Sequence, residues 1–244
     1  MRVYKILISL LIASPIFACS GSPVFSPTGT SAPIIVVQFT PETEWLIPIV
    51  QECSQSIPEY NWLIQSADNP IPDDIQVTIF LNWGEPENAD PSTFTIATDT
   101  LQIVTHPSNP VQEISLSELQ SIFEGRTTRW NEISENLPAE DIQIWIYPEN
   151  SSLMKNFQIS YGLTFNSITP LAFLSPHPSH LREKIAENPY AIGILSTRWL
   201  NESVNPLTVS GESPSLEIPI TARLTREDSY IREWLACLQL KSNP

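Results

Sequence analysis

Glycine and basic residues are scarce in this chain of 244 residues. It contains 7 glycines, and neither glycine-rich signature of nucleotide binding, G-x-G-x-x-G or G-x-x-x-x-G-K-[ST], occurs. A glycine loop that cradles phosphate groups is therefore not expected. The 12 Lys and Arg residues are outnumbered by 27 Asp and Glu residues, which gives a net charge of −15. Because a nucleic-acid-binding surface must be basic to displace counterions, no nucleic-acid partner is expected either.

Signatures of enzymes and of metal sites are also missing. The nucleophile-elbow pattern G-x-S-x-G does not occur. His177 and His180 have H-x-x-H spacing, but Pro178 stands between them and no set of acidic or cysteine ligands accompanies them. These histidines are expected to be polar surface residues rather than zinc ligands. We therefore expect a protein that is not an enzyme and holds no metal and no cofactor.

The first residues have the three zones of an export signal. Arg2 and Lys5 are followed by an apolar stretch, 6–17, and then by Ala18 and Cys19. This stretch is shorter than the roughly 20 residues that cross a bilayer, so residues 1–18 are predicted to be a signal peptide. The sequence has no other segment of transmembrane length.

A cysteine directly after a small residue resembles the cleavage site of a bacterial lipoprotein signal. The resemblance implies that Cys19 is lipidated, becomes the new N-terminus and anchors the protein to the outer face of the cell membrane. Cleavage after Ala18 by an ordinary signal peptidase is the alternative. Residues 19–32 are rich in Ser, Gly, Pro and Thr, as flexible linkers are. Processing removes two positive charges and leaves a net charge of −17.

Two cysteines remain in the mature chain, Cys53 and Cys237. An exported protein folds in an oxidising setting, where such a pair favours a disulfide. Both cysteines fall in predicted helices near the two ends of the mature chain. The alternative is a pair of separate buried thiols.

Strand and helix signals alternate along the rest of the chain. Ser115-Leu116-Ser117-Glu118 is a capping box that opens a helix ending at Gly125. Thr40 precedes a proline and two glutamates, which predicts a helix start, and this helix is expected to run to Ser56 with a bend at Pro48. Further strands are predicted at 34–37, 60–64, 75–83, 94–105, 142–146, 191–196 and 218–224, and further helices at 150–161, at 179–187 and after residue 228. Such alternation indicates an α/β fold.

Two stretches carry a family resemblance. Residues 104–133 read VTHPSNPVQEISLSELQSIFEGRTTRWNEI, and residues 189–194 read PYAIGI. The first resembles the phosphate-binding proteins of ABC importers, in which an N-P-x-N-P-V stretch precedes a helix ending I-F-x-G and then a tryptophan. The second is similar to the late A-I-G-Y strand of that family. The matching positions are Pro107, Asn109, Pro110, Val111, Ile122, Phe123, Gly125 and Trp130. Of these, Ile122 and Phe123 are interpreted as core residues. Gly125 is interpreted as the residue that ends the helix, and Trp130 as the side chain that covers it.

The resemblance implies a two-lobed type II periplasmic binding protein fold, in which two crossing hinge strands join the lobes and the ligand lies between them. It places lobe one at residues 33–98 plus 204–244, and lobe two at 99–203. Cys53 and Cys237 then share a lobe, which favours the disulfide. A monomer whose lobes close on a ligand by hinge motion is expected.

Members of this family bind their oxyanion with backbone N–H groups and hydroxyls at helix N-termini, where the helix dipole favours an anion. The resemblance therefore predicts a ligand site made of Thr40, Trp83, Gly84, Tyr147, Ser151 and Ser152. The alternative role of Thr40, Ser151 and Ser152 is to cap a helix. The alternative for Trp83 is a buried tryptophan in an ordinary loop. Tyr147 stands where the family has an arginine, so the strongest contact available to an oxyanion is missing.

The predicted function is an exported, lipid-anchored receptor that captures a small ligand, phosphate or another oxyanion, and presents it to an ABC permease or a sensor. The missing arginine and three acids near the expected cleft, Glu42, Glu85 and Glu149, count against phosphate itself. The alternative is a surface-anchored interaction or sensor module that keeps the fold and has lost the small ligand. A hydrolase ranks third.

Overall fold

The structure is a computed structural model that describes residues 32–73, 75, 77–85, 91–211 and 217–243. The predicted signal peptide, the predicted lipidation site Cys19 and nearly all of the predicted linker lie outside these residues. The chain from Ala32 onward clusters as one unit. Within the described ranges, every helix is too short or too polar to cross a bilayer.

Strands and helices are interspersed through this unit, as the predicted α/β fold requires. The strands are β1 (Ile34–Phe39), β2 (Asn61–Ser66), β3 (Val77–Trp83), β4 (Thr93–Thr105), β5 (Glu113–Ser115), β6 (Gln143–Ile146), β7 (Phe173–Leu174), β8 (Ala191–Ser196), β9 (Asn205–Ser210) and β10 (Glu217–Leu224). The α-helices are α1 (Ile47–Gln55), α2 (Leu116–Phe123), α3 (Ser152–Tyr161), α4 (Pro178–Glu187) and α5 (Ser229–Ser242). Four 3-10 helices are η1 (Pro41–Leu46), η2 (Trp130–Glu132), η3 (Phe165–Ser167) and η4 (Thr197–Trp199).

Two groups of strands share the long strand β4. In the first group β1 lies between its parallel neighbours β2 and β3, and β10 is antiparallel to both β3 and β4. In the second group β4 pairs with β8 and β9, while β6 is parallel to β8 and β7, and β5 is parallel to β9. The chain crosses from the first group to the second inside β4 and returns between β9 and β10. The predicted two-lobed α/β fold is thereby confirmed.

The limits of the two lobes stay a prediction, and the strand pairing supports one adjustment. β9 pairs with β4 and β5 of the second group, although the resemblance assigns residues from 204 onward to lobe one. We therefore propose that lobe two extends through Ser210 and that lobe one resumes at β10.

The predicted disulfide between Cys53 and Cys237 is confirmed. It joins α1 to α5, with 5.9 Å between the two Cα atoms. Beside it, Trp234 of α5 stacks on Trp62 of β2 with ring centroids 5.3 Å apart, and its indole N–H donates to Ser54 Oγ at 3.1 Å. A hydrogen bond and a covalent link therefore hold α1 and α5 together, and aromatic stacking joins α5 to β2.

The segments that carry the family resemblance lock to one another inside lobe two. Asn109 Nδ2 donates to the carbonyl of Pro189 at 2.9 Å, and Trp130 Nε1 donates to the carbonyl of Tyr190 at 3.2 Å. Asn109 is 3% exposed and Trp130 is 1% exposed. A buried polar group needs such a partner to offset its desolvation, so these residues serve the fold, as interpreted for Trp130.

Local signals place the helix ends well, with one exception. Ser115 and Glu118 form the predicted capping box, in which each backbone N–H donates to the other side chain, at 2.7 and 3.2 Å. Gly125 follows α2 with a left-handed φ of +74°.

The single bent helix predicted from residue 40 to 56 is wrong in detail, because the chain forms η1 and then α1 there. Pro48 has no N–H to donate to the carbonyl four residues earlier, so the α-helix begins only beside it.

Asp228 caps α5 and is expected to make the stability of the fold depend on pH. Its carboxylate accepts hydrogen bonds from the N–H groups of Tyr230 and Ile231, both at 3.0 Å, and from the Tyr60 hydroxyl. Partial burial raises the pKa of this carboxyl, but the three hydrogen bonds outweigh burial and leave the pKa below its ordinary value. The stabilisation is therefore present above the unfolded pKa of about 4 and is lost as the pH falls through the lower folded pKa.

Asp228→Asn should keep the helix cap, because asparagine caps as well as aspartate does, and should flatten this acid-dependent loss. Urea unfolding from about pH 2 to about pH 6 measures it. The exposed Asp68→Asn is the matched control and should retain the wild-type profile. An Asp228→Asn profile as steep as that of the wild type would contradict the assignment.

Candidate functional site

The loops that follow several strands meet where the two lobes adjoin. Thr40 follows β1 and Gly84 follows β3 in lobe one, whereas Tyr147 follows β6 in lobe two. Ligands of open α/β sheets bind at such carboxyl ends of strands. A Cβ added to Gly84 would lie 3.2 Å from Nδ2 of Asn156 on α3. The two lobes therefore touch where the ligand site is predicted, and we call this contact region the lobe interface.

Glu42 and Tyr147 are buried polar residues that lie at the lobe interface, Glu42 in lobe one and Tyr147 in lobe two. Glu42 on η1 is 6% exposed, and Tyr147 is 1% exposed. The phenol oxygen of Tyr147 is buried and has no hydrogen-bond partner among the described residues. Burial, and then the negative charge of Glu42, raise the pKa of Tyr147 well above its usual range. Tyr147 is therefore a neutral hydroxyl beside a carboxylate.

Ser151 and Ser152 stand at the start of α3, as predicted. Ser151 is the N-cap, because its Oγ accepts a hydrogen bond from the N–H of Met154 at 3.0 Å. The carbonyl of Ser152 accepts from Nδ2 of Asn156 at 2.9 Å. Since Asn156 approaches Gly84, this helix start reaches the lobe interface. Both the cap and the predicted ligand role are compatible with this position.

Thr40 and Trp83 each have a hydrogen-bond partner, Thr40 in η1 and Trp83 on β4. The backbone N–H of Thr40 donates to Oγ1 of Thr43 at 3.1 Å, which ties the end of β1 to η1. Trp83 is 1% exposed, and its indole N–H donates to Oδ2 of Asp99 at 2.9 Å. The structure thus buries Trp83, as its alternative interpretation expects, but at the end of strand β3 and not in a loop. Its ligand role remains a prediction without structural support.

A second set of contacts bridges the lobes through η1. Nε2 of His177 pairs with the carboxylate of Glu44, and the indole N–H of Trp199 on η4 donates to the backbone oxygen of Glu42 at 3.3 Å. The guanidinium of Arg198 lies over the ring of Trp45, 4.6 Å from its centroid. The sequence indicates Glu42 only as an acid near the cleft. It does not predict that His177, Arg198 or Trp199 contacts lobe one, because no local pattern marks a contact between positions so distant in the chain.

The two histidines of the H-x-x-H motif have separate structural partners. His177 is the N-cap of α4, with its Nδ1 accepting from the N–H of Ser179 at 3.1 Å. His180 lies in α4, and its Nδ1 is 2.9 Å from Oγ of Ser175. Among the described residues, no three His, Cys, Asp or Glu side chains are arranged to hold a metal ion.

Basic side chains near the interface are engaged by backbone oxygens. Nη1 of Arg182 donates to the carbonyl of Trp199 at 3.0 Å, and Nη2 of Arg198 donates to the carbonyl of Ser242 at 2.9 Å. Neither arginine stands at the position that Tyr147 occupies. With both arginines held by backbone carbonyls, the groups left at the interface are the hydroxyls of Tyr147 and Ser151, the amide of Asn156 and the carboxylate of Glu42.

Ser151→Ala is expected to lower the free energy of unfolding by about 1 kcal/mol, because it removes the N-cap of α3. Ser152→Ala, at the first helical position, is the matched control and should change it by less than about 0.5 kcal/mol. Urea titrations of both variants without added ligand measure the difference. Equal effects of the two substitutions would contradict the capping role.

The geometry defines a class of protein, an α/β protein whose polar groups from two lobes converge at strand ends. A family model described as the PBP superfamily domain matches residues 85–228. The chain belongs to this family, which confirms the family resemblance of its sequence. No curated protein sequence matches the chain.

Solved structures share the fold at low sequence identity. A protein from Clostridium perfringens, described as a phosphate ABC transporter substrate-binding protein with bound phosphate, superposes with a TM-score of 0.68 at 15% identity over 84% of this chain and 92% of its own. An ABC-type phosphate transport receptor from Vibrio cholerae gives 0.61 at 20% identity over 84% and 93%. The OxyR2 regulatory domain from Vibrio vulnificus gives 0.56 at 13% identity over 85% and 97%. Membership of the PBP superfamily agrees with the prediction of a protein that is not an enzyme.

Proposed function

We propose that this protein is an exported solute-binding receptor that captures a small ligand between its two lobes and presents it to a membrane permease or sensor. Membership of the PBP superfamily and the two-lobed fold support this function. The observation that carries it is the convergence of strand ends and the start of α3 at the lobe interface, where Gly84 approaches Asn156 and the Tyr147 hydroxyl is buried without a partner among the described residues.

Phosphate or another oxyanion is the ligand that the family resemblance predicts. Two neighbours are described as phosphate-transport proteins, and the N-terminus of α3 offers backbone N–H groups that favour an anion. Tyr147 in place of an arginine and the nearby charge of Glu42 oppose a fully ionised oxyanion.

Export and anchoring belong to the same proposal. Signal peptide 1–18 directs secretion, the lipid on Cys19 holds the mature protein at the outer face of the cell membrane, and residues 19–32 act as the flexible linker. The mature protein acts as a monomer.

Thermal unfolding in a panel of solutes tests the receptor function. The panel holds phosphate, sulfate, molybdate, tungstate, amino acids and sugars at matched ionic strength. A ligand at 100 times its Kd stabilises the folded state by about 2.7 kcal/mol, a shift of roughly 5–10 °C for a chain of this size. A phosphate shift that Ser151→Ala abolishes would establish the oxyanion site. The absence of a shift with every solute would refute the receptor.

The second candidate is an interaction module that has lost small-ligand binding. It is favoured by the lobe interface itself, where direct contacts of Glu44 with His177 and of Trp45 with Arg198 join the lobes. Small-angle scattering separates the two functions. A receptor should become more compact when its ligand is added, whereas the interaction module should keep one radius of gyration in every solute.

A further inference from the structure

We propose that the lobe interface binds a ligand that carries a cationic ammonium group, with the Glu42 carboxylate as its counter-ion. This inference rests on the proposed function, since it names the ligand class of the same site between the lobes. It departs from the oxyanion that the family resemblance predicts.

The first argument is the burial of Glu42 without an ion-pair partner among the described residues. Glu42 is 6% exposed, and the ion pairs of the described residues involve other carboxylates, such as those of Glu44, Glu52 and Glu187. Glutamate is almost never buried unless it is paired, because a carboxylate loses its hydration on burial. A ligand with a positive charge would supply the missing counter-ion.

The second argument is the unpartnered hydroxyl of Tyr147 on the opposite lobe. Its oxygen is buried without a hydrogen bond among the described residues, whereas most buried polar atoms in proteins have a partner. The charge of Glu42 acts on this phenol, so the two groups are near each other. An ammonium group has three N–H donors and can satisfy the carboxylate and the phenol oxygen together.

The third argument is the aromatic surface beside Glu42. Trp45 lies three residues further along η1, and residues i and i+3 of a 3-10 helix share a face. The ring of Trp45 already holds the guanidinium of Arg198 at 4.6 Å from its centroid. Aromatic faces attract cations, so this corner of the interface has the electrostatic character of a cation site. Arg198 itself donates to the carbonyl of Ser242.

The fourth argument is charge complementarity. An oxyanion would set a second negative charge close to Glu42, in a chain of net charge −15, and the guanidinium groups of Arg182 and Arg198 already donate to backbone carbonyls. A cation meets attraction both locally and from the net charge of the protein.

Isothermal titration and thermal unfolding with ethanolamine, putrescine and spermidine test the proposal, with sodium phosphate and sodium sulfate as comparison solutes at matched ionic strength. At least one amine should raise the melting temperature. Glu42→Gln should weaken that amine at least about 30-fold, as loss of one partner of a buried charge pair does. Tyr147→Phe should weaken it about tenfold or more, because it removes a hydrogen bond from the charged ammonium group.

The matched control is Glu52→Gln, which removes the same charge from an exposed position on α1 and should change the affinity less than twofold. Without ligand, Glu42→Gln should fold and melt no lower than the wild type, because the ion pairs among the described residues do not involve Glu42. If Glu42→Gln does not fold, the comparison of Tyr147→Phe with Glu52→Gln decides the test.

Three outcomes would overturn the proposal. Stabilisation by phosphate or sulfate with none by any amine would refute the ammonium ligand and leave the receptor function standing. Amine binding that survives Glu42→Gln would refute Glu42 as the counter-ion. No stabilisation by any amine or oxyanion would refute the ammonium ligand, and the larger solute panel would then decide the receptor function separately.

Discussion

Replacing Cys53 and Cys237 together with alanine should lower the free energy of unfolding by about 3–5 kcal/mol. The disulfide joins residues that are 184 positions apart, so it restricts the unfolded chain over nearly the whole described unit. The entropic gain from a cross-link grows with the length of the loop that it closes. For a chain of this size the loss corresponds to roughly 6–20 °C in melting temperature.

Thermal and urea unfolding with and without dithiothreitol measure this effect. Reduced wild type and the double alanine variant should unfold at similar denaturant concentrations, and the reductant should not affect the variant. Cys237→Ala alone should be as destabilised as the double variant, since it already breaks the bridge. Two free thiols titrated in the native, unreduced protein would contradict the disulfide.

The helices that the disulfide joins are also held by non-covalent packing. Cys53 is completely buried, and Trp234 with Trp62 covers the neighbouring contact between α5 and β2. The helices thus pack without the covalent link, which explains why the reduced protein should still fold. We expect reduction to alter stability more than it alters the near-ultraviolet circular dichroism at room temperature.

Most of the fold could be predicted from the sequence because its signals are local. The capping box at Ser115, the left-handed glycine Gly125 and the alternation of apolar residues in β3 each lie within a few neighbouring positions. The short strands β5 and β7 were missed, because two or three residues are too few to show a periodic pattern. β9 was also missed, since it carries Pro206, a residue that usually argues against a strand.

The site could be predicted only in outline. The family resemblance led to Tyr147 and to the start of α3, which do lie at the lobe interface. The burial of Glu42 was not foreseen, because acids in a first helical turn usually face water as partners of the helix dipole. Its burial depends on lobe two, and the contact from Trp199 joins residues 157 positions apart. The sequence therefore indicates Glu42 as a charge that opposes an anion, and its place in the site becomes visible only in the structure.

Asp99→Ala is the second substitution for which we expect a large effect, a loss of about 3 kcal/mol in the free energy of unfolding. Asp99 is 3% exposed and lies on β4 close to the point where this strand changes partners. Its carboxylate accepts hydrogen bonds from the indole of Trp83, from the N–H of Thr100 and from the hydroxyl of Thr197. Hydrogen bonds to charged groups contribute about 1.5–3 kcal/mol each, and the donors left behind become unsatisfied.

Double-mutant cycles show which lobe depends on this carboxylate. Trp83 belongs to β3 of lobe one and Thr197 begins η4 of lobe two. Asp99 therefore forms hydrogen bonds to both lobes at the point where β4 passes from one to the other. Combining Asp99→Ala with Trp83→Phe, and separately with Thr197→Val, should give coupling energies of about 1 kcal/mol or more in each cycle. Coupling to Trp83 alone would make Asp99 a core residue of lobe one. Coupling to both would mean that one buried carboxylate fixes the end of β3 and the start of η4, and hence the position of Trp199 against Glu42. Asp99→Ala should then also increase the radius of gyration in small-angle scattering.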